Sequence, residues 1–163
     1  MTIRPATNSD IPGIQMIAAL TWPHAYADIL TPRQVEYMLN MMYSHATLQK
    51  QMLQEGHQFF VAESEDKMLG FAGCSPDEDR VWKLHKLYVL PFQQKSGLGK
   101  SLLQIVEVVA SKAGAEALVL NVNRQNNANA FYKHLGFEID SVGDFDIGAG
   151  FFMNDYVMKK QLV

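Results

Sequence analysis

A single cysteine, Cys74, in 163 residues has nothing in the chain to pair with. An intrachain disulfide and a Cys-rich zinc site are both excluded, and the expected compartment is a reducing one. Positive charge is not in excess either. The 14 Lys+Arg stand against 17 Asp+Glu, a formal net charge of −3, whereas a general nucleic-acid binder carries a basic surplus. No run approaches the ~18 apolar residues of a membrane span, and Met1–Asp10 has no apolar core of a secretory leader. The expected location is therefore the cytoplasm, with neither membrane nor nucleic acid as a partner. Repeats, low-complexity tracts and Pro/Gly/Ser-rich linkers are also missing. One domain over residues 1–163 is expected, long enough to bury roughly 70% of its unfolded surface.

What is present is a clear change of period along the chain. Thr2–Ala6 alternates as a short strand. Asn8, Ser9 and Asp10 are candidate caps for a helix carrying Ile11, Ile14, Ile17 and Ala18. Thr31-Pro32 starts a second helix with Val35, Met38, Leu39 and Met42 on one stripe, and Ser44 caps a third through Leu48, Met52 and Leu53. From Gln58 the period is strand-like: Phe59–Ala62, Met68–Cys74 and Val81–Leu90, the first two joined at Glu65-Asp66-Lys67 and the last two by a polar turn at Pro76–Asp79. An amphipathic helix spans about Gly97–Ala113, then a buried strand Ala117–Val122. A short helix carries Ala128, Phe131, Tyr132 and Leu135, and two strands follow at about Glu138–Val142 and Phe151–Met158. This order predicts an α/β fold. Its mixed, mostly antiparallel sheet of about seven strands holds one parallel pair, reached by a right-handed crossover, with helices on both faces.

The chemistry concentrates between Leu87 and Leu103. A strand ends at Leu90-Pro91, a loop with Gly97 and Gly99 follows, and a helix starts at once. Free amides at a helix start bind anions, glycines let an anion approach the backbone, and Lys95 and Lys100 add charge. Phosphate or pyrophosphate is the implied ligand. Three readings of the segment compete. One is a plain tight turn. Another is a nucleotide P-loop around Gly99-Lys100-Ser101, which has Gln94 where its first glycine belongs; a dinucleotide fingerprint likewise meets Leu102 in place of its third glycine. The third is Gln-x-x-Gly-x-Gly at Gln94, Gly97 and Gly99.

That third pattern, following Leu87-Tyr88-Val89-Leu90-Pro91, resembles the acetyl-CoA-binding motif of the GNAT superfamily of N-acetyltransferases. Asn126–Phe137, with its Asn, Ala, Phe-Tyr pair and closing Gly-Phe, is similar to that family's second signature about 30 residues on. The C-terminal Asp146–Met158 is more loosely similar to the bacterial polyamine acetyltransferase-like members. The resemblance implies a sheet splayed between Leu84–Leu90 and Ala117–Val122, admitting the pantetheine arm of acetyl-CoA. Leu87 and Val89 would supply backbone contacts to that arm. The pyrophosphate would lie over Gln94, Lys95, Ser96, Gly97, Leu98, Gly99, Lys100 and Ser101. Asn126, or Gln125 with a one-residue shift, would contact the coenzyme, and Lys133 its phosphates.

The same resemblance assigns Tyr132 to protonate the departing thiolate, and tyrosine's ordinary pKa of about 10 suits a donor. Many members carry a glutamate base where this chain has Lys83. His85, at the position of a catalytic histidine in arylalkylamine acetyltransferases, is the substitute candidate, and simple alternation puts it on one strand face with Lys83, Leu87 and Val89. The acceptor expected is a small-molecule amine or a peptide, in the Trp22–Tyr43 region and near the last hairpin. There Asp144, Asp146 and Asp155 are either cation-attracting groups or ordinary solvated acids. His24, His45, His57 and His134 lack metal-ligand spacing, so no metal is expected. Cys74 lies mid-strand as a small hydrophobe, which implies direct acetyl transfer. A homodimer is admitted by this reading. Its rivals are a non-catalytic acyl-CoA sensor and a nucleotide-dependent phosphotransferase.

Overall fold

A computed structural model describes residues 1–163. Its strands are β1 (Thr2–Pro5), β2 (Gln58–Ser64), β3 (Lys67–Glu78), β4 (Val81–Val89), β5 (Ala117–Asn123), β6 (Glu138–Gly148) and β7 (Phe151–Gln161). The helices are α1 (Ile11–Ala25), α2 (Pro32–Tyr43), α3 (His45–Leu53), α4 (Leu98–Lys112) and α5 (Ala128–His134). All seven strands join one sheet in the order β1-β2-β3-β4-β5-β7-β6. Every neighbouring pair is antiparallel except β4 and β5. The α/β fold with one parallel pair, expected from the element order, is what the structure shows.

The helix starts follow their caps. The Thr31 hydroxyl accepts from the Gln34 amide at 3.2 Å and the Ser44 hydroxyl from the Thr47 amide at 3.1 Å, each satisfying an amide that the helix leaves free. Asn8–Asp10 does not cap α1 directly but forms its own short 3₁₀ turn. There Asp10 accepts from the Thr7 amide at 2.7 Å and pairs with Arg4 at 2.9 Å. Two other boundaries move. The expected turn at Pro76–Asp79 narrows to Asp79-Arg80, since β3 continues to Glu78. The last hairpin is longer than its apolar alternation suggested, turning only at Gly148-Ala149-Gly150.

Two layers cover the sheet. The rings of Phe71 in β3 and Tyr43 at the end of α2 meet edge to face on the α1–α3 side. On the other side Gly70 lies against Leu102 of α4. Ile14, Ile17, Leu48, Phe71, Leu102, Leu118 and Met158 are wholly buried, so both stripes read from the sequence face the sheet.

One irregularity shapes everything that follows. In the β3–β4 register Leu84 pairs with Cys74 and Lys86 with Gly73, leaving His85 as an extra residue. This β-bulge bends β4 and breaks its alternation. Val89, beyond it, touches α4-side groups, whereas Tyr88 packs on Trp22 and Phe71. His85 thus does not share a face with Val89, as unbroken alternation would require.

Candidate active site

The parallel β4–β5 pairing covers only four residue pairs, from Val81–Ala117 to Leu84–Leu120. It stops at the bulge. Past that point β4 stays with β3, through Leu87–Ala72 and Val89–Gly70, and β5 stays with β7, through Asn121–Val157 and Asn123–Asp155. The two strands therefore part into a V. The Leu90 amide donates to Leu69 on β3 at 2.9 Å. Alternate residues of an antiparallel strand turn their backbone groups to the same side, so Leu87 and Val89 direct theirs into the gap.

A cavity of about 690 Å³ opens along this V. Its walls bring together His85, Leu87, Val89, Gln94, Lys95, Gly97, Gly99, Lys100, Asn126 and Tyr132. The other expected residues lie elsewhere. Leu98 is buried in the core and pins the loop from below. The hydroxyls of Ser96 and Ser101 fold back onto the Gln93 and Gly97 carbonyls at 2.5 and 3.1 Å. Lys133 is exposed on α5, away from the cavity walls. Gln125 lines the cavity beside Asn126, so both alternatives for the coenzyme-contacting amide are present. The side-chain oxygen of Asn126 is committed to the Ala128 amide at 2.8 Å.

At one end of the cavity sits the loop into α4. Gly97 caps that helix with φ +87°, a conformation that glycine adopts without penalty. The first helical bond runs from the Ser101 amide to the Gly97 carbonyl at 3.0 Å, and the amides of Leu98, Gly99 and Lys100 precede that ladder. Three free N–H groups, the helix dipole and two lysines make a cradle for an anion. A Cβ on Gly99 would meet Phe131 only at 3.5 Å. Its backbone is thus bare toward the cavity without being crowded by the protein.

Tyr132 stands midway, on α5, its ring wedged edge to face between Phe131 and Phe137 at 5.2 and 5.7 Å. Burial holds its phenol well above the ordinary tyrosine pKa. No protein group bonds to its hydroxyl. Opposite, the Tyr26 and Tyr88 hydroxyls lie 3.5 Å apart, both also raised by burial. The sequence motifs single out neither tyrosine as a site residue. The position of Tyr88 beside Val89 in the motif was the available signal for it, while Tyr26, in the aromatic region after Trp22, is placed only by the packing of α1.

His85 reaches the cavity wall under different constraints. Its Nε2 is 2.7 Å from the Ser75 hydroxyl, and its ring stacks on His57 with centroids 4.4 Å apart. Burial, then the neighbouring His57, Lys83 and Lys86, bring its pKa down to about 3. Lys86 beside it is nearly fully buried. Its Nζ donates to Gln51 at 2.8 Å and lies over the Tyr43 and Phe59 rings, and burial lowers its pKa to about 8. Cys74 is buried with its thiol pushed up to about 12, a reluctant nucleophile. Of the aromatic and methionine-rich region, Trp22, Met38 and Tyr43 are core, whereas His24 and Tyr26 line the cavity.

The chain as a whole has known relatives. The family model described as Acetyltransferase (GNAT) domain matches residues 26–159. This chain belongs to the GNAT acetyltransferase family. An uncharacterized N-acetyltransferase of Mycobacterium tuberculosis is 30% identical over 156 residues, covering 95% of this chain and 99% of the relative. A spermidine N(1)-acetyltransferase of Thermoplasma acidophilum is 24% identical over 164 residues, covering 98% and 96%. Among solved structures, PaiA N-acetyltransferase from Thermoplasma acidophilum in complex with coenzyme A superposes with a TM-score of 0.82, at 24% identity over 99% of both chains. An aminoglycoside 6'-N-acetyltransferase complexed with coenzyme A gives 0.73, at 21% identity over 100% and 98%. The GNAT protein described here is an acetyl-CoA-dependent acyltransferase, and no helix in it is long and apolar enough to cross a membrane.

Proposed function

We propose that this GNAT protein moves the acetyl group of acetyl-CoA directly to a primary amine, of a small molecule or a peptide. The observation that carries this is a single cavity holding both the free amides at the α4 start and the unpartnered Tyr132 hydroxyl, joined by the β4–β5 gap. Pyrophosphate oxygens fit the amides of Leu98, Gly99 and Lys100, with Lys95 and Lys100 as counter-charges. The pantetheine arm fits between the strands, against the backbone of Leu87 and Val89. Asn126 and Gln125 border the arm, and Lys133 meets phosphate only from outside the cavity. The thioester carbonyl then lies near strand amides able to support a developing oxyanion.

Transfer needs a neutral amine nitrogen. It attacks the carbonyl carbon, the C–S bond breaks, and Tyr132 gives its proton to the departing thiolate. The tyrosinate recovers a proton from the newly formed ammonium on the product nitrogen. A phenol held above its ordinary pKa stays protonated until the thiolate forms. His85 was the expected base; a pKa near 3 makes it a poor resting place for an alkylammonium proton. Lys83 occupies the slot where the family resemblance puts a glutamate base. These two residues favour the second reading, a CoA-binding sensor without turnover.

Calorimetric titration with acetyl-CoA, CoA and ATP, followed by thiol release over a panel of polyamines, arylalkylamines and peptide N-termini, decides between them. Tight acetyl-CoA binding with amine-dependent thiol release is expected. Binding with no amine-stimulated release favours the sensor, and ATP binding without CoA binding removes both.

A further inference from the structure

Only one buried carboxylate oxygen in this protein has no hydrogen-bond partner: Oδ1 of Asp155. Asp155 lies on β7, paired with Asn123 of β5, and is 6% exposed. Residues facing each other across an antiparallel pair share a side, as do residues two apart, so Asp155, Asn121 and Asn123 line one face of the sheet. That face is the α1–α3 side. The Tyr26 ring, just past the end of α1, reaches it; burial foremost raises that phenol, and the Asp155 charge adds to the rise.

The surroundings do not neutralise this group. Asn121 Nδ2 reaches Oδ2 only at 3.5 Å. Arg124 touches the Asp155 backbone carbonyl at 3.4 Å, but its guanidinium is committed to Asp144 at 2.7 Å. Burial, foremost, raises the Asp155 pKa; the Asn121 contact and the charges of Arg124 and Lys83 oppose that only in part, and neither cation forms an ion pair with it. A buried carboxylate oxygen without a partner is costly, and no Lys or Arg closes an ion pair with it. Asn121 and Tyr26, which flank it, both line the cavity. Asp155 itself does not line the cavity, so a cation there meets its charge across Asn121 and Tyr26.

We propose that Asp155 is the counter-charge of the acceptor subsite, so that the amine docks against Asn121 as an alkylammonium with this carboxylate beneath it. The proposal rests on the acetyltransfer reading and narrows its substrate class. Alkylamines, positive at neutral pH, gain the interaction; aromatic amines, neutral there, do not. Asp155 in this role selects and positions the acceptor; the docked ammonium gives one proton to solvent water, and the neutral nitrogen then attacks the thioester as described above.

Calorimetry on the CoA-loaded protein, with propylamine as the alkylammonium and aniline as the neutral amine, tests the idea. Asp155→Asn, which keeps shape and removes charge, is expected to weaken propylamine binding by about tenfold or more. Aniline affinity and the coenzyme Kd should stay within about twofold. Should that variant fold poorly, Asn121→Lys on the cavity wall supplies an internal cation and is expected to produce the same selective loss. Equal weakening for both amines, no weakening, or no propylamine binding to the native chain would each overturn the proposal. Thiol release separates the two claims. Asp155-dependent propylamine binding with no release from any amine of the panel ends the acetyltransfer reading and leaves the counter-charge standing, whereas amine turnover indifferent to Asp155 does the reverse.

Discussion

The imidazoles of His57 and His85 stack face to face, 4.4 Å between centroids and 18° between planes, with His85 on the wall of the candidate active site and His57 outside its lining. Protonating either ring would bury a charge next to its neighbour and next to Lys86. Burial, foremost, lowers both, His85 to about 3. Above pH 6.5 neither the folded nor the unfolded chain carries a proton on His85. Between pH 6.5 and about 3 the unfolded chain takes one up and the folded chain refuses it. Stability should therefore fall as pH drops through that window. In urea unfolding series at pH 7 and pH 4.5, His85→Gln is expected to lose less stability on acidification than the native chain. Identical pH dependence would show that the stack does not disfavour the proton.

The same pKa bears on catalysis. If His85 held the amine's proton, thiol release would show a limb titrating at the histidine, and replacing it would move that limb. The expected result is a pH–rate profile whose apparent pKa values stay unchanged in His85→Gln, with any loss of rate uniform across pH. A limb that disappears with the histidine would restore it as the base.

Tyr132→Phe removes one hydroxyl and leaves the ring between Phe131 and Phe137. Coenzyme affinity measured by calorimetry should change little, because the aromatic packing survives. If the phenol protonates the thiolate, kcat should drop by roughly 10²-fold or more, as loss of a general acid generally does. An unaltered kcat would take Tyr132 out of the chemistry.

Much of this was legible from the residues. The Thr31 and Ser44 caps, the two amphipathic stripes and the strand–loop–helix around Gln94–Lys100 are local signals, and local backbone preferences decide them. The β-bulge was not legible. Nothing in Trp82-Lys83-Leu84-His85-Lys86 marks His85 as the extra residue, since the misfit arises from pairing with Gly73 and Cys74 on another strand. Missing it put His85 on the wrong face relative to Val89. Asp155 posed the same difficulty: as a sequence position it was one of several acids near a hairpin, and only the pairing of β7 with β5 buries it beside Asn121.

At Gly97 the backbone is left-handed, φ +87°, with nothing within 4 Å of where a Cβ would go. Gly97→Ala therefore meets no clash and pays only for conformation, about 1–2 kcal/mol. Part of that cost can be relieved by tilting the loop, which would misalign the amides of Leu98, Gly99 and Lys100. The expected outcome is a lowered urea midpoint and a several-fold rise in the KM for acetyl-CoA, with kcat for bound substrate nearly unchanged. A larger effect on kcat than on KM would argue that the loop does more than hold the anion.

Gly70 tests the V between the strands from its other side. A Cβ there would sit 2.9 Å from the Tyr88 carbonyl oxygen, 3.2 Å from the Val89 side chain and 3.3 Å from Leu102. The first of these is backbone and cannot swing aside, so Gly70→Ala must push β4 away from β3 at the residues that border the gap. Overpacking of this kind costs about 1–3 kcal/mol. The displaced segment also carries Leu87 and Val89, whose backbone groups face the opening. Stability by urea unfolding and acetyl-CoA affinity by calorimetry should therefore fall together. Gly73→Ala is the internal comparison, because its Cβ would press on the side chain of Phe59, at 3.0 Å, and not on the backbone of β4. Loss of stability without loss of affinity in Gly70→Ala would mean that the position of β4 beyond the bulge does not set the coenzyme site.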